Sequence, residues 1–481
     1  MHGKHGIVEL TCLLLLLIGG VAFSQGAGDG SALTVLERLP GVESNGPSDF
    51  APLAVGPAHV VLVEHTDIAL FRKAVGDEAA QQLAKVPVRT FFADPPGPVD
   101  RLTDPDVVFD PEGGRFFIAI ADTTRVRLQL LLAVSKSAVP ETLSDRDWFV
   151  YRLDRNDAGV DEADFDHIAI AGDRLLVSWQ RTADSPSGPV GLGTTIRVFD
   201  KRPFMEGSVP SAAPVDFVVP STRNLRARPA SISALRDRAT GLIFYDISSQ
   251  CGSGDRLTWL LGAVSGLPAN PTFTTREVAS PLPCANNAMR APQPGSAEGI
   301  RLKRLAANPS YRDGKLWVFE WGDGNAAGTT SGIQWMEVDV RRWPDAVTAV
   351  QAGVHREPGV WLFAPAGVID WAGNLVLTYS RSGPSQYPSS GLAGRLVTDA
   401  PGVTRQGDTL RQGERVWDDT DPLAGVLGAT TDPVDGSVWV SGITPTVSRP
   451  PGLKDSVASW IGRLRPMNAT AVPASTATKP D

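Results

Sequence analysis

The chain has 481 residues, of which 42% are hydrophobic and 20% charged, with a formal net charge of −8. That composition suits a soluble protein with a large core. It excludes a nucleic-acid partner, because neutralising phosphates needs a concentrated basic surface. Glycine (48) and proline (39) are both above average usage and suit a fold with many turns.

The N-terminus reads as a targeting segment. Lys4 and His5 precede the apolar run from Leu10 to Ile18, and Ala22-Phe23-Ser24 places small residues at a cleavage position. This is the grammar of a secretory signal over residues 1–24, so the expected location is secreted or periplasmic. The apolar run is short for a membrane span of about 20 residues; an uncleaved anchor is the competing reading. No second apolar stretch approaches that length, so the mature chain should have no membrane span. Residues 25–31 are Gly-rich and residues 467–481 are rich in Ala, Thr and Pro, so both are expected to be disordered. The tail holds a glycosylation sequon, Asn468-Ala469-Thr470. Residues 32–466 remain as one domain, expected as a monomer.

Within it, Leu33 to Leu39 reads as a lone strand. Val60–Val63 and Ile68–Phe71 read as a pair, and residues 77–85 as a short helix. The stretch from Asp104 to Ala121 is a β-hairpin: Val107–Phe109 and Phe116–Ile120 flank a turn of Asp110-Pro111-Glu112-Gly113-Gly114. Leu128–Ser135 and Trp148–Leu153 follow as two more strands, which makes a four-stranded meander. The same hairpin returns around Gly172, Gly241, Gly314, Gly373 and Gly436, at intervals of roughly 60 to 70 residues. A four-stranded unit recurring at a steady period predicts an all-β protein, a β-propeller. Counting the first pair gives seven blades of four antiparallel strands, with six as the alternative. The last unit lacks a strand, which the N-terminal strand would supply, closing the ring and removing an open edge.

Two cysteines, Cys251 and Cys284, remain after signal cleavage. In an oxidising compartment they are expected to pair, which the chain-entropy account values at roughly 3–4 kcal/mol; two separate buried thiols are the alternative. Neither has a second Cys or a His at zinc-ligand spacing.

Several stretches also carry a resemblance. Ala54-Val55-Gly56-Pro57-Ala58-His59, Asp104-Pro105-Asp106-Val107, Leu132-Ala133-Val134-Ser135, Ala291-Pro292-Gln293-Pro294-Gly295 and Tyr387-Pro388-Ser389 stand in one order. Together they resemble a group of secreted bacterial β-propeller proteins, loosely sialidase-like, most without an assigned activity. The resemblance implies the propeller and little chemistry. The chain departs from the pattern at Trp417-Asp418-Asp419, where extra residues follow.

A sialidase would need an arginine cluster, a Tyr–Glu pair and an acid/base aspartate. The five tyrosines fall mostly on strands and read as packing. His59, His65, His167 and His355 are scattered and read as ordinary residues. No His-Glu-x-x-His, Gly-x-Ser-x-Gly or P-loop occurs. What stands out is a set of charged residues: Asp104 and Asp106, then Asp164 and Asp166, then Arg304, then Asp418 and Asp419, each just before an expected inner strand. Such residues converge at the channel mouth of a propeller, where they can bind a sugar or a divalent cation such as calcium; no other cofactor is indicated. The competing reading is that they cap strand-start amides. The expected function is an extracellular binding module for glycan or protein. The alternative is a carbohydrate hydrolase or lyase using those carboxylates.

Overall fold

The computed structural model describes residues 30–467, except 46–49, 77, 94–101, 123–128, 155–161, 184, 189, 222–224, 233–241, 252–255, 285–288, 303–306, 325–328, 418–422, 424 and 448–455. The proposed signal, nearly all of the proposed disordered ends, the turn at Gly241, and Arg304, Asp418 and Asp419 lie outside the described residues. No helix among the described residues is long and apolar enough to cross a membrane.

The protein is a seven-bladed β-propeller. The chain opens on β1 (Leu33–Asn45) and β2 (Phe50–Ala51). Blade 1 follows as β3 (Leu53–Val55), β4 (His59–Val63), β5 (Asp67–Arg72) and β6 (Gln81–Pro87), with a one-turn α1 (Val88–Phe91). Blade 2 is β7 (Leu102–Asp110), β8 (Arg115–Asp122), β9 (Gln129–Ser135) and β10 (Trp148–Asp154). Blade 3 is β11 (Glu162–Ala171), β12 (Arg174–Ala183), β13 (Val190–Asp200) and, after α2 (Arg202–Met205), β14 (Val215–Pro220). Then come β15 (Arg228–Pro229), β16 (Ser231–Ile232), β17 (Ile243–Cys251), β18 (Arg256–Leu267) and β19 (Asn270–Pro283); all but β16 form blade 4.

A hairpin of β20 (Arg290–Gln293) and β21 (Ser296–Arg301) is inserted before blade 5. Blade 5 is β22 (Ser310–Arg312), β23 (Lys315–Asp323), β24 (Ser331–Arg342) and β25 (Ala346–His355), with β16 added alongside β22. Blade 6 is β26 (Trp361–Ile369), β27 (Leu375–Gly383), β28 (Gln386–Arg395) and β29 (Arg405–Arg411). After β30 (Val426–Leu427), blade 7 has β31 (Ala429–Thr431), β32 (Val438–Pro445) and β33 (Ser456–Pro466), and β1 is its fourth strand.

The expected ring closure is present. β1 pairs antiparallel with β33 from Leu33 opposite Pro466 to Asn45 opposite Ser456. The hairpin turns also behave as read. Gly114, Gly172, Gly314, Gly373 and Gly436 all have positive φ. At Gly436 a Cβ would also stand 2.6 Å from the Trp371 ring of the neighbouring blade, so close packing adds to the need for φ +69°.

The helix expected at 77–85 is not formed. Gln81–Pro87 is the outer strand of blade 1, in register with β5 from Asp67 to Arg72. Its Ala- and Gln-rich sequence favours a helix locally, but Leu83 and Val86 can be half-covered only by lying on the blade. Tertiary packing overrides propensity here.

Aspartates at the inner hairpins link neighbouring blades. Asp110 accepts the Glu112 amide at 3.2 Å and the Lys201 ammonium of blade 3 at 2.5 Å. Asp432 accepts the Val434 amide at 2.9 Å and Lys73 of blade 1 at 2.8 and 3.0 Å, and Trp439 Nε1 donates to it at 3.0 Å. Both pairs are buried.

At the closing seam, Glu64 is fully buried between blade 1 and the Ser44 and Ser459 hydroxyls of blade 7. Burial, more than any neighbour, pushes its carboxyl up to about 7; Asp67 adds to the rise, while the serines and Lys85 oppose it. The folded state therefore keeps a proton between pH 4.5 and 7 that the unfolded chain releases, so this group's stabilisation falls as pH rises through that window. A shift of that size corresponds to about 3 kcal/mol. Glu64→Gln should match the wild type in stability near pH 5 and exceed it at pH 8. Thermal melts across that range check this, and a gap that stays constant with pH would refute it.

Candidate functional site

The seven inner strands surround a central cavity of about 130 Å³. Its wall includes Val55, Asp106, Ala230, Asn308, Gly367 and Gly428. Small and aliphatic residues dominate because the inner strands converge there and leave little width. Among the described lining residues Asp106 supplies the one carboxylate.

Two of the expected site residues lie on β7 itself rather than ahead of it. Asp104 sits in a β-bulge between Thr103 and Asp106, with φ +51° ahead of Pro105. That is a strained position for a residue other than glycine. Asp104 is buried and does not line the cavity. Asp164 and Asp166 lie within β11, Asp164 opposite Gln180 and Asp166 at a second bulge between Phe165 and His167. A bulge shifts the facing of the residues that follow by one, and here it presents His167 towards blade 2. Arg304, the fifth expected member, is not among the described residues.

What the structure gathers around Asp106 is a chain of hydrogen bonds across three blades. His167 Nδ1 lies 3.1 Å from Asp106 Oδ2, and the Arg228 guanidinium lies 2.6 Å from His167 Nε2. The Ile168 amide donates to Asp106 Oδ2 at 2.9 Å and the Val107 amide to Oδ1 at 2.8 Å. All three residues are at most 3% exposed. Burial lowers the His167 pKa most; Asp106 opposes the shift and Arg228 adds to it. The ring is therefore neutral at pH 7. Because Arg228 can only donate, Nε2 accepts from it and Nδ1 donates to Asp106. With both ring nitrogens occupied, His167 has no free lone pair to act as a base, and Asp106 already holds three hydrogen bonds.

A second buried network joins blade 6 to the end of blade 5. The Tyr379 hydroxyl is 2.7 Å from Glu357 Oε1, 3.0 Å from His355 Nε2 and 3.1 Å from the Leu392 carbonyl. Arg381 donates to Glu357 Oε2 at 2.7 Å. Burial pulls His355 down to about 4, with Arg381 adding to the shift. Burial first, then the Glu357 carboxylate, raises the Tyr379 phenol, so it stays protonated. A Tyr–Glu contact therefore exists, but Tyr379 has no exposed surface and its hydroxyl is enclosed by protein groups.

The inserted β20–β21 hairpin packs on blade 6. Gln293 Nε2 donates to the Trp417 carbonyl at 2.6 Å, and the Trp417 amide donates back to Gln293 Oε1 at 2.7 Å. Ser382 Oγ donates to the Pro292 carbonyl at 2.7 Å, and the Gly413 amide to Ser389 Oγ at 2.9 Å. Two of the stretches that carry the sequence resemblance, Ala291 to Gly295 and Tyr387 to Ser389, thus tie loops around blade 6 together.

Sequence reading missed His167, Arg228, Glu357 and Arg381. The spacings of these residues carry no motif, since each network is assembled from different strands or blades. The available signal was burial: a histidine inside an apolar inner strand, as in Asp166-His167-Ile168-Ala169, needs partners for both ring nitrogens.

No known protein family and no curated protein matches the chain. Among solved structures, a protein of unknown function from Dyadobacter fermentans is 12% identical, covers 90% of this chain and 100% of its own, and has a TM-score of 0.34. An α-L-arabinofuranosidase from Fusarium graminearum, solved with an iminosugar inhibitor, is 10% identical over 88% of this chain and 98% of its own, with a TM-score of 0.38. A subtype N11 neuraminidase-like protein of A/flat-faced bat/Peru is 8% identical over 79% of this chain and 99% of its own, with a TM-score of 0.36.

If the Asp106–His167–Arg228 chain ties three blades together, Asp106→Ala should destabilise the protein by about 3 kcal/mol, the loss of hydrogen bonds to a buried charge. Asp106→Asn, which keeps one acceptor, should cost less. Urea unfolding measures both; an Asp106→Ala midpoint equal to the wild type would refute the structural role.

Proposed function

We propose that the protein is an exported binding module that recognises a glycan or a protein with the face of the ring where the inner strands begin. The observation that supports this is the state of the channel. Its one described carboxylate is saturated by hydrogen bonds. Its volume of about 130 Å³ is below the roughly 300 Å³ at which small-molecule pockets begin. A channel this small favours recognition at the mouth. No second described carboxylate faces Asp106 across the cavity at the 5–10 Å that glycosidic hydrolysis uses.

At the inlet face Asp104, Asp164, Asp166 and Arg304 are the proposed contacts, with calcium as the cation the carboxylates would accept. A panel of soluble glycans and added calcium should raise the melting temperature of the wild type, and Asp104→Ala should lose that rise. Unchanged melting throughout would sink the reading. Turnover of chromogenic glycosides by the purified protein, abolished by Asp104→Ala or Asp164→Ala, would replace it with the hydrolase.

Export carries a second proposal, a bridge between Cys251 and Cys284. Cys251 ends β17 opposite Leu257, and Pro283 at the end of β19 stands opposite Arg256, so both cysteines belong to one end of blade 4. Cys284 is half-buried. Mass spectrometry of alkylated, unreduced protein from the export compartment should find neither thiol free; two labelled thiols would refute the bridge.

A further inference from the structure

Arg174 opens β12 of blade 3, and Tyr245 lies near the start of β17 in blade 4. Side chains alternate along a strand, so Arg174 shares a face with Leu176. Leu176 packs in one apolar cluster with Ile243 and Tyr245, which places the arginine and the tyrosine on facing sides of the blade 3–blade 4 junction. Arg174 is 2% exposed and Tyr245 is 0% exposed.

Their hydrogen-bonding is incomplete. Arg174 makes one long bond, from Nε to the Ala171 carbonyl at 3.5 Å. Among the described residues its Nη1 has no partner, and neither does the Tyr245 hydroxyl. The aspartates nearest Arg174 along the blade face another cation: Asp200 binds Arg202 at 2.6 Å and Asp173 lies 3.7 Å from it. A buried guanidinium without a counter-charge is among the costliest arrangements in a protein. Burial raises the Tyr245 phenol well above its ordinary range, so it remains a neutral O–H donor beside that cation. Two buried donors, the Arg174 Nη1 and the Tyr245 hydroxyl, therefore share an apolar junction with no acceptor for either among the described residues.

We infer that Arg174 and Tyr245 hold a small inorganic anion, chloride or bromide, between blades 3 and 4. The class follows from the surroundings. The junction is packed with Leu176, Ile243 and Ala171, which suits a single-atom ligand. A sulfate or phosphate would bring four oxygens to two donors and leave the rest buried without partners. A halide is also less strongly hydrated than those oxyanions. The site is separate from the channel, since neither residue lines it.

The test is thermal unfolding of the full chain at constant ionic strength, with sodium gluconate replaced stepwise by chloride or bromide. Binding to the folded state alone raises stability with the logarithm of ligand concentration. The expected result is a rise of several degrees that follows this form in both halides and is absent in gluconate. Arg174→Met, which keeps the volume and removes the charge, should abolish the halide response. Tyr245→Phe should weaken it about tenfold in apparent affinity, and this variant serves if Arg174→Met does not fold. Crystals grown in bromide should show an anomalous peak between the two side chains. Equal melting in all three salts, a halide response that survives in Arg174→Met, or water in place of the bromide peak would each overturn the inference.

Discussion

The pairing of β1 with β33 is the constraint on which the other features depend. A propeller blade is a small twisted sheet that cannot bury both its faces alone, so each needs a neighbour on either side. Blades 2 to 6 obtain theirs from chain continuity, whereas blades 1 and 7 are brought together by the first strand completing the last sheet. That strand also supplies Ser44 to the seam, where it meets Glu64 of blade 1. The seam is thus held by a full antiparallel ladder and sensitised by one buried carboxyl.

Closing the ring creates a second problem at its axis, where seven inner strands present an edge to the channel. Proline has no N–H to leave unpaired at such an edge. It stands at or just before the inner strand in five blades, as Pro52, Pro105, Pro229, Pro309 and Pro365. In two places the edges pair with each other instead: β2 runs parallel to β30, and β16 parallel to β22. Asp106 deals with a third stretch by accepting the Ile168 amide of the next blade. These devices draw the inner strands together, which explains why the channel is narrow and why its polar groups are consumed internally.

The same logic operates away from the axis. The hairpin aspartates Asp110 and Asp432 each satisfy their own turn and a lysine of the following blade. An ion pair of this kind stabilises little by itself, since desolvation offsets much of the attraction. Its value lies in register, because a displaced blade would leave both charges buried and unmatched. Arg174 breaks the pattern, being a buried cation in the junction between blades 3 and 4 without a described carboxylate.

The number of blades, the hairpin grammar and the closing strand were legible in the sequence because they are local or periodic. A turn such as Asp-Pro-Glu-Gly-Gly between apolar runs specifies a hairpin wherever it lies, and the recurrence of glycine-bearing hairpin turns counts the blades. Residues 77–85 misled for the complementary reason: their helical preference is local, but their partner strand β5 is not a property of that stretch. Part of the candidate site was legible only as residue type. Asp106 was visible as an acidic residue near the axis, yet its partners His167 and Arg228 come from two other blades, joined by a bulge that no spacing announces. The sequence by itself determined the hairpin strands and how many blades they make, since those follow from alternation and turn residues. Only the tertiary structure decided which charges are spent holding the blades together and which are left without a partner, because that depends on which faces meet across a junction.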